Sequence, residues 1–559
     1  MLCSPGLAPA QTALSGSPGQ LLASPSNAIA GGVVVVQVAV TLQGTTGSPE
    51  GDAAVRTAAL EAADLQVGQM ADTSALMVAA QRIRKVDGVT AAAYEVKVGP
   101  AGGSVTFLVS VGESGAAREP TALPKLYEDS RSLLKLIFNG GVGVYSDGNA
   151  FFRNWTAFNA GSPIAPGPPT GRRTTFMDIS LEPGLGGITQ IGVDPLYLYG
   201  AATVVASDTL GADIYQRNEK MYVAVEKAYA GLLWVPEKGQ SVNVSLGRQN
   251  YTLNDGFLIH QVKGSTNVGN RRATFLGART ANDFAGLLNA RSGQWQLQAF
   301  YLDPNEYEPI ESNTRFAGGN ARYAFGEGLV ADATFVEIVN SDTVNRTPQG
   351  TGVPRQGVQA LAGHLRWRNA LGISDFQLEG EFGHQTSTKA DISAYAGYAS
   401  AGYRFSDTAW RPAIVLRYAE WTGDRPGTAR YERWDPLLPA GSDEWMGGMI
   451  FSKYVANSNL HQFRFRYFAE PSETFNFTVD WLKYRADQTN NLGATPVLST
   501  LASRDLGDEV MFIGRQYLGK NYYLQTLASI NWPGAAIRSA LPQPAKTWTS
   551  LQATLYWFF

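Results

Sequence analysis

The sequence predicts an all-β transmembrane barrel of about 18 antiparallel strands behind a small α+β domain of order β-α-α-β-β. Three observations lead there. The last residues, 551–559, alternate apolar and polar and stop on Phe559. From about residue 134 onward the chain breaks into similar alternating segments, with short links alternating with long ones. No run of about 18 apolar residues occurs, so helical spans are excluded, whereas an alternating barrel averages to mild hydropathy.

Composition agrees. Of 559 residues, 11% are aromatic and only 17% charged, with 60 Gly, 24 Tyr and 12 Trp; the mean hydropathy is -0.14. Such values suit the aromatic girdles and bends of a barrel. A net charge of -3 argues against a nucleic-acid partner. Arg outnumbers Lys by more than two to one, and the planar guanidinium fork recognises carboxylate, sulfate or phosphate better than an ammonium does. A lone cysteine, Cys3, rules out an internal disulfide.

Residues 1–31, rich in Ser, Pro, Gly and Ala, read as a disordered leader remnant. Ala8-Pro9-Ala10 has the small-x-small look of a cleavage site, yet no Lys or Arg precedes Arg56. Residues 32–114 form a compact unit: a strand over 33–42, helices near 52–63 and 74–86, and a hairpin of 94–98 with 104–111. The second helix has Asp72 or Thr73 as cap and buries Ala75, Leu76, Ala79 and Ile83 at helical spacing. Residues 115–133 are expected as a linker, with 123–138 a short linker or helix leading to the membrane. The barrel is expected over 134–559, which at roughly 22 to 25 residues per strand and connection supplies about 16 to 18 strands and leaves an aqueous channel.

Within the barrel, alternation sorts the chemistry. In the final strand Leu551, Ala553, Leu555, Trp557 and Phe559 share one face, with Gln552, Thr554 and Tyr556 on the other. Over 361–368, His364, Arg366 and Arg368 oppose Gly363, Leu365 and Trp367; over 461–468, Arg464 and Arg466 oppose Phe463, Phe465 and Tyr467. The basic face must be the lumen, because Arg toward lipid near mid-bilayer costs about 2–4 kcal/mol. By the same phase Gln377, Glu379 and Glu381, and Asn476, Thr478 and Asp480, point inward. Two readings stay open. Cations and carboxylates pair across adjacent strands and stiffen the wall, or a subset of arginines forms a positive constriction that concentrates an anionic solute.

Two resemblances add to this. Gly68 before the second helix, Asp87-Gly88-Val89 after it and Val109-Ser110-Val111-Gly112-Glu113 at the end make the first unit resemble a polypeptide-transport-associated (POTRA) domain. Such domains are periplasmic and bind partners by strand addition. In the barrel, Gly247-Arg248-Gln249, Asn254-Asp255-Gly256, Arg279 with Asp283-Phe284, Tyr418-Ala419-Glu420-Trp421-Thr422-Gly423-Asp424 and Trp434-Asp435-Pro436-Leu437-Leu438-Pro439 together resemble the alginate-export family. The likeness spans most of 220–559. It implies an 18-stranded, electropositive, monomeric outer-membrane pore for an anionic exopolysaccharide, in contact with outer-membrane lipid. It would place Arg248, Arg279 and Asp283 inward near the pore, and Trp434 and Asp435 in an outer loop.

The leading POTRA-like unit departs from that family and suggests a fused docking platform for a periplasmic scaffold protein. The candidate pore lining is Arg248, Arg279, Asp283, Arg366, Arg368, Glu379, Glu381, Arg464, Arg466 and Asp480. Alternative roles are an anion-selective or general porin for small acidic sugars, and a protein-translocating barrel; the Val-Arg-Gly-Phe/Tyr lumen motif of protein-inserting barrels is absent. No cofactor is expected. Neither Gly-x-Ser-x-Gly nor His-Glu-x-x-His occurs, and His260, His364, His384 and His461 show no metal spacing, which argues against an enzyme.

Overall fold

A computed structural model describes residues 20–21, 33–65, 70–71, 73–99, 102–111, 125–129, 131–150, 173–192, 196–211, 221–237, 240–259, 273, 275–276, 278–306, 311–325, 328–438, 448–472, 474–491, 500–518, 522–540, 545–557 and 559. Asp72, Gly68 and Gly112, and nearly all of 1–31, lie outside them.

The first unit has the expected element order. The strand Val33–Gln43 runs parallel to Gly102–Val111, which pairs antiparallel with Val89–Gly99, so the last strand lies between the other two. The helices Pro49–Ala63 and Thr73–Arg84 cover one face of this sheet. Ser48 caps the first helix by accepting from the Gly51 amide at 3.0 Å. Leu76, Ala79 and Ile83 from the second helix meet Val105, Phe107 and Val109 from the sheet in one buried core.

The rest is a closed antiparallel barrel of 18 strands, from Ser132–Gly148 to Trp548–Trp557. Among the described residues, no helix is long and apolar enough to cross a membrane. The last strand closes on the first, with Thr549 opposite Gly148 and Trp557 opposite Gly140. Gly140 is needed at that seam, since a Cβ there would lie 2.5 Å from both the Ser180 carbonyl oxygen and the Trp557 ring. The Phe559 carbonyl accepts from the Phe138 amide at 3.2 Å. Where the sequence suggested a linker or helix over 123–138, the strand Lys125–Glu128 folds back onto Leu133 and Lys135 at the foot of Ser132–Gly148. The reading missed it because that segment carries no clean period of two.

Connections define two ends. Links such as 293–294, 473–474 and 519–521 are short, whereas 249–283, 422–459 and 487–504 at the other end are long. The first strand begins, and the last finishes, at the short-link end, so the N-terminal unit joins the barrel there. Arg84 of its second helix pairs with Glu128.

The barrel is built inside out. Leu361 is 65% exposed and Leu551 51%, while Gln552, Thr554 and Tyr556 of the closing strand are buried. An outer wall of such residues is the band that faces lipid. At the short-link end, Trp295, Tyr323 and Phe325, then Tyr403 and Phe405, then Tyr522 and Phe559 make successive ring contacts with centroids 4.6–5.7 Å apart. That is an interfacial girdle.

Candidate functional site

At mid-height the inner wall carries two charged patches, each made by side chains that alternation turns inward. The first spans Arg315–Phe325, Leu329–Asn340, Val358–Arg368 and Phe376–Ser387. Register puts Arg322 opposite Asp332, Asp332 opposite His364, His364 opposite Glu381 and Arg366 opposite Glu379. His364 Nδ1 lies 2.9 Å from Asp332 and its Nε2 3.1 Å from Glu379. Arg366 Nε donates to Glu379 Oε1 at 2.7 Å, and its Nη2 reaches the same oxygen. Arg368 lies two residues nearer the short-link end, opposite Gln377; its Nε and Nη2 have no hydrogen-bond partner among the described residues.

The second patch spans Ala413–Trp421, Leu460–Ser472, Phe475–Ala486 and Asp505–Leu518. Arg417 stands directly opposite Arg464, and Arg466 opposite Asp480. Arg466 grips both Asp480 oxygens at 2.7 and 2.8 Å, and Arg464 Nη2 approaches the same carboxylate at 3.2 Å. Arg417 donates to Gln462 and Arg515 to Thr478. Among the described residues, the buried acidic and basic side chains of this arc are four arginines with Asp480 and Glu509. Glu509 accepts the amides of Ile450 at 2.9 Å and Phe451 at 2.8 Å and a hydrogen bond from Ser529.

Those amides belong to a loop inside the barrel. The described residues of the connections 249–283 and 422–459 fold inward at the long-link end. Tyr251, Leu253, Phe257, Leu258, Ile259 and Phe275 of the first, and Trp434, Leu437, Ile450, Phe451 and Tyr454 of the second, share one core with inward wall residues. Phe257 packs on Tyr398 and Trp421 at 5.3 and 5.8 Å, and Phe451 on Tyr484 at 4.1 Å. Ile259 and Leu438 form a parallel bridge that joins the two loops. The aqueous lumen expected from sequence is therefore filled at this level by loop side chains, because the loops carry enough apolar surface to bury themselves against the wall.

Wall carboxylates anchor the loop backbone. Asp178 accepts the Phe275 amide at 2.9 Å, and Glu226 those of Thr280 at 2.6 Å and Ala281 at 3.0 Å. Lys453 of the second loop reaches across the barrel to Asp147 at 2.7 Å with both side chains fully buried. Arg355 holds Asp435 through Nε and Nη2 at 2.7 and 2.8 Å. Nearer the loop surface, the Arg425 and Thr428 side chains hold the Glu432 carboxyl below its usual range, whereas burial pushes that of Asp424 up.

The sequence-derived residues thus separate. Arg366, Glu379 and Glu381 fall in the first patch, with Arg368 below it; Arg464, Arg466 and Asp480 fall in the second. Arg248 and Asp283 pair with each other where loop 249–283 leaves and rejoins the wall, both partly exposed. Arg279 is buried against Ser207 and the Tyr222 ring, fastening that loop. Trp434 and Asp435 are in a long loop as expected, but turned inward and buried. Arg322, Asp332, Arg417 and Arg515 were missed although each has the inward phase of its strand; Asp255 entered only as part of the family-like Asn254-Asp255-Gly256, and Arg355 and Lys453 had no local signal.

Residues 202–549 match the sequence profile of the family described as alginate export. No curated protein matches the chain. Among solved structures, the chain is similar to OccAB1 of Acinetobacter baumannii, at 11% identity over 78% of this chain and 98% of that one, TM-score 0.47. It is also similar to two proteins of Pseudomonas aeruginosa. OccK5 (OpdH) is 9% identical over 76% of this chain and 98% of that one, TM-score 0.43. OccK11 (OpdR) is 12% identical over 76% of this chain and 95% of that one, TM-score 0.42.

Proposed function

We propose, from the premise that this chain belongs to the alginate-export family, that this outer-membrane transport pore passes an anionic exopolysaccharide outward through an arginine-lined mid-section. The observation that carries the reading is the second wall patch. Four buried arginines cluster on adjacent strands, and two of them, Arg417 and Arg464, stand directly opposite each other. Like charges so placed cost stability, a cost the wall itself has no use for but a polyanion offsets as it passes. Guanidinium groups bind carboxylates bidentately, and several shared weak contacts let a polymer be held and released, as conduction requires.

The loop plug supports export over the open-porin alternative. An uptake pore for small acidic sugars is served by a standing aperture, whereas the described residues of loops 249–283 and 422–459 share an apolar core across the lumen. In this reading the short-link end faces the periplasm. The β-α-α-β-β unit is a POTRA-like docking platform there for a scaffold protein, and the barrel works as a monomer. Among the described residues, the edge of Val89–Gly99 beyond its pairing with Gln20–Leu21 carries no further strand, and it offers that partner one to extend.

The test is planar-bilayer conductance of the purified protein with its ion selectivity, with and without an oligouronate. Anion selectivity and block by the oligouronate are expected, both lost in Arg464→Ala/Arg466→Ala. Cation selectivity in the unmodified pore, or unchanged selectivity in that variant, would overturn the reading.

A further inference from the structure

We infer that Asp255, His364 and Glu379 form a site for a divalent transition-metal cation of the zinc type, which ties the inward loop 249–283 to the barrel wall. The three side chains come from three separate segments. Asp255 is contributed by the loop, His364 by Val358–Arg368 and Glu379 by Phe376–Ser387. One ligand atom of each lies within 4.8 Å of the others. An imidazole with carboxylate oxygens is a donor set that suits zinc.

The surroundings are those of a held metal ligand. Asp332 lies 2.9 Å from His364 Nδ1. A carboxylate there holds Nδ1 as its donor, so Nε2, whose proton goes to Glu379 when no cation is bound, is the nitrogen that would give up that proton to take a metal. That Nε2 faces Glu379. Asp255 is itself oriented: its Oδ2 accepts from Tyr398 at 2.6 Å and its Oδ1 from the Phe257 amide at 3.1 Å. Glu379 accepts from Arg366, and a carboxylate has lone pairs left for a further partner.

An independent observation points the same way. Glu381 is only 5% exposed, and its Oε2 has no hydrogen-bond partner among the described residues. It stands opposite His364 in the register, on the same inward face as Glu379. A buried carboxylate oxygen without a partner costs more than one left in water, a cost that a cation bound beside it would offset. The site does not depend on what the pore carries; only its action as a latch rests on the plugged-pore reading.

The experiment uses the full chain, purified in detergent without a histidine tag and stripped with chelator, titrated calorimetrically with Zn2+. One equivalent is expected to bind, and Co2+ in its place should give visible absorption bands of a low-coordinate ion. Asp255→Asn, which leaves every wall residue in place, and His364→Gln should each abolish that equivalent. Asp332→Asn should retain it with affinity weakened about 10–100-fold. Circular dichroism and the thermal transition identify any variant that has lost the barrel, and Asp255→Asn, on the loop, keeps the question answerable if His364→Gln does not fold. No stoichiometric binding by the unmodified chain, or an undiminished equivalent in folded Asp255→Asn, would overturn the site. A Zn2+-loaded pore as conductive as the stripped one would overturn the latch while leaving the polysaccharide reading to its own test.

Discussion

The two charged patches of the lumen look alike in sequence and differ in the fold. In each, arginines two residues apart face inward from one strand: Arg366 and Arg368 on Val358–Arg368, Arg464 and Arg466 on Leu460–Ser472. In the first, the neighbouring strands answer with Asp332, Glu379 and Glu381, and the loop adds Asp255. In the second, one neighbour adds Arg417 and the strand beyond the other adds Arg515, and Arg464 and Arg466 share Asp480. The same strand pattern therefore yields a carboxylate-rich mooring for a loop on one side and an arginine arc on the other. What a lumen arginine does is decided by the strands beside it.

Perturbing the pairs sharpens that contrast. The largest effect is expected from Asp480→Asn, which leaves Arg464 and Arg466 buried without their shared carboxylate. Loss of about 3–5 kcal/mol is expected in denaturant unfolding, and a midpoint near that of the unmodified chain would mean that the arc is hydrated and does not lean on Asp480. Next, Leu361→Arg, on the lipid side of the first patch, should cost about 2–4 kcal/mol, measured in the same way in lipid vesicles. An innocuous Leu361→Arg would undo the inside-out assignment on which both patches rest.

Function separates the patches more finely. Arg464→Gln should reduce anion over cation permeability several-fold, while Arg366→Gln changes it little and acts on loop anchoring; reversal potentials under a salt gradient measure both. Equal shifts would erase the distinction. Smallest of all, Arg430→Ala removes the exposed loop pair with Asp391 and should shift stability by at most about 1 kcal/mol.

Much of this was legible along the chain. Period-two alternation located the inner faces of 361–368, 375–382, 461–468 and 474–483, because side-chain direction in a strand is a local property. It also fixed the closing strand and the wall's lipid side. The strands Arg173–Gln190 and Leu196–Leu210 were less evident, since glycines and small residues dilute their alternation. The loops misled for a different reason. Long polar-looking connections read as outer loops, yet scattered Tyr251, Phe257, Trp434 and Phe451 form an apolar surface once two loops meet.

The sequence by itself determined a β-barrel with a wet, arginine-bearing face and a lipid face, because each strand's amphipathicity is written at period two. Only the tertiary structure decided which charges neutralise each other, for that depends on register between strands distant in sequence. His364 shows the limit. It has no metal spacing along the chain, yet barrel closure and the inward loop bring Glu379 and Asp255 within reach of it. Register and loop burial are collective outcomes of closing a whole wall, and no local pattern records them.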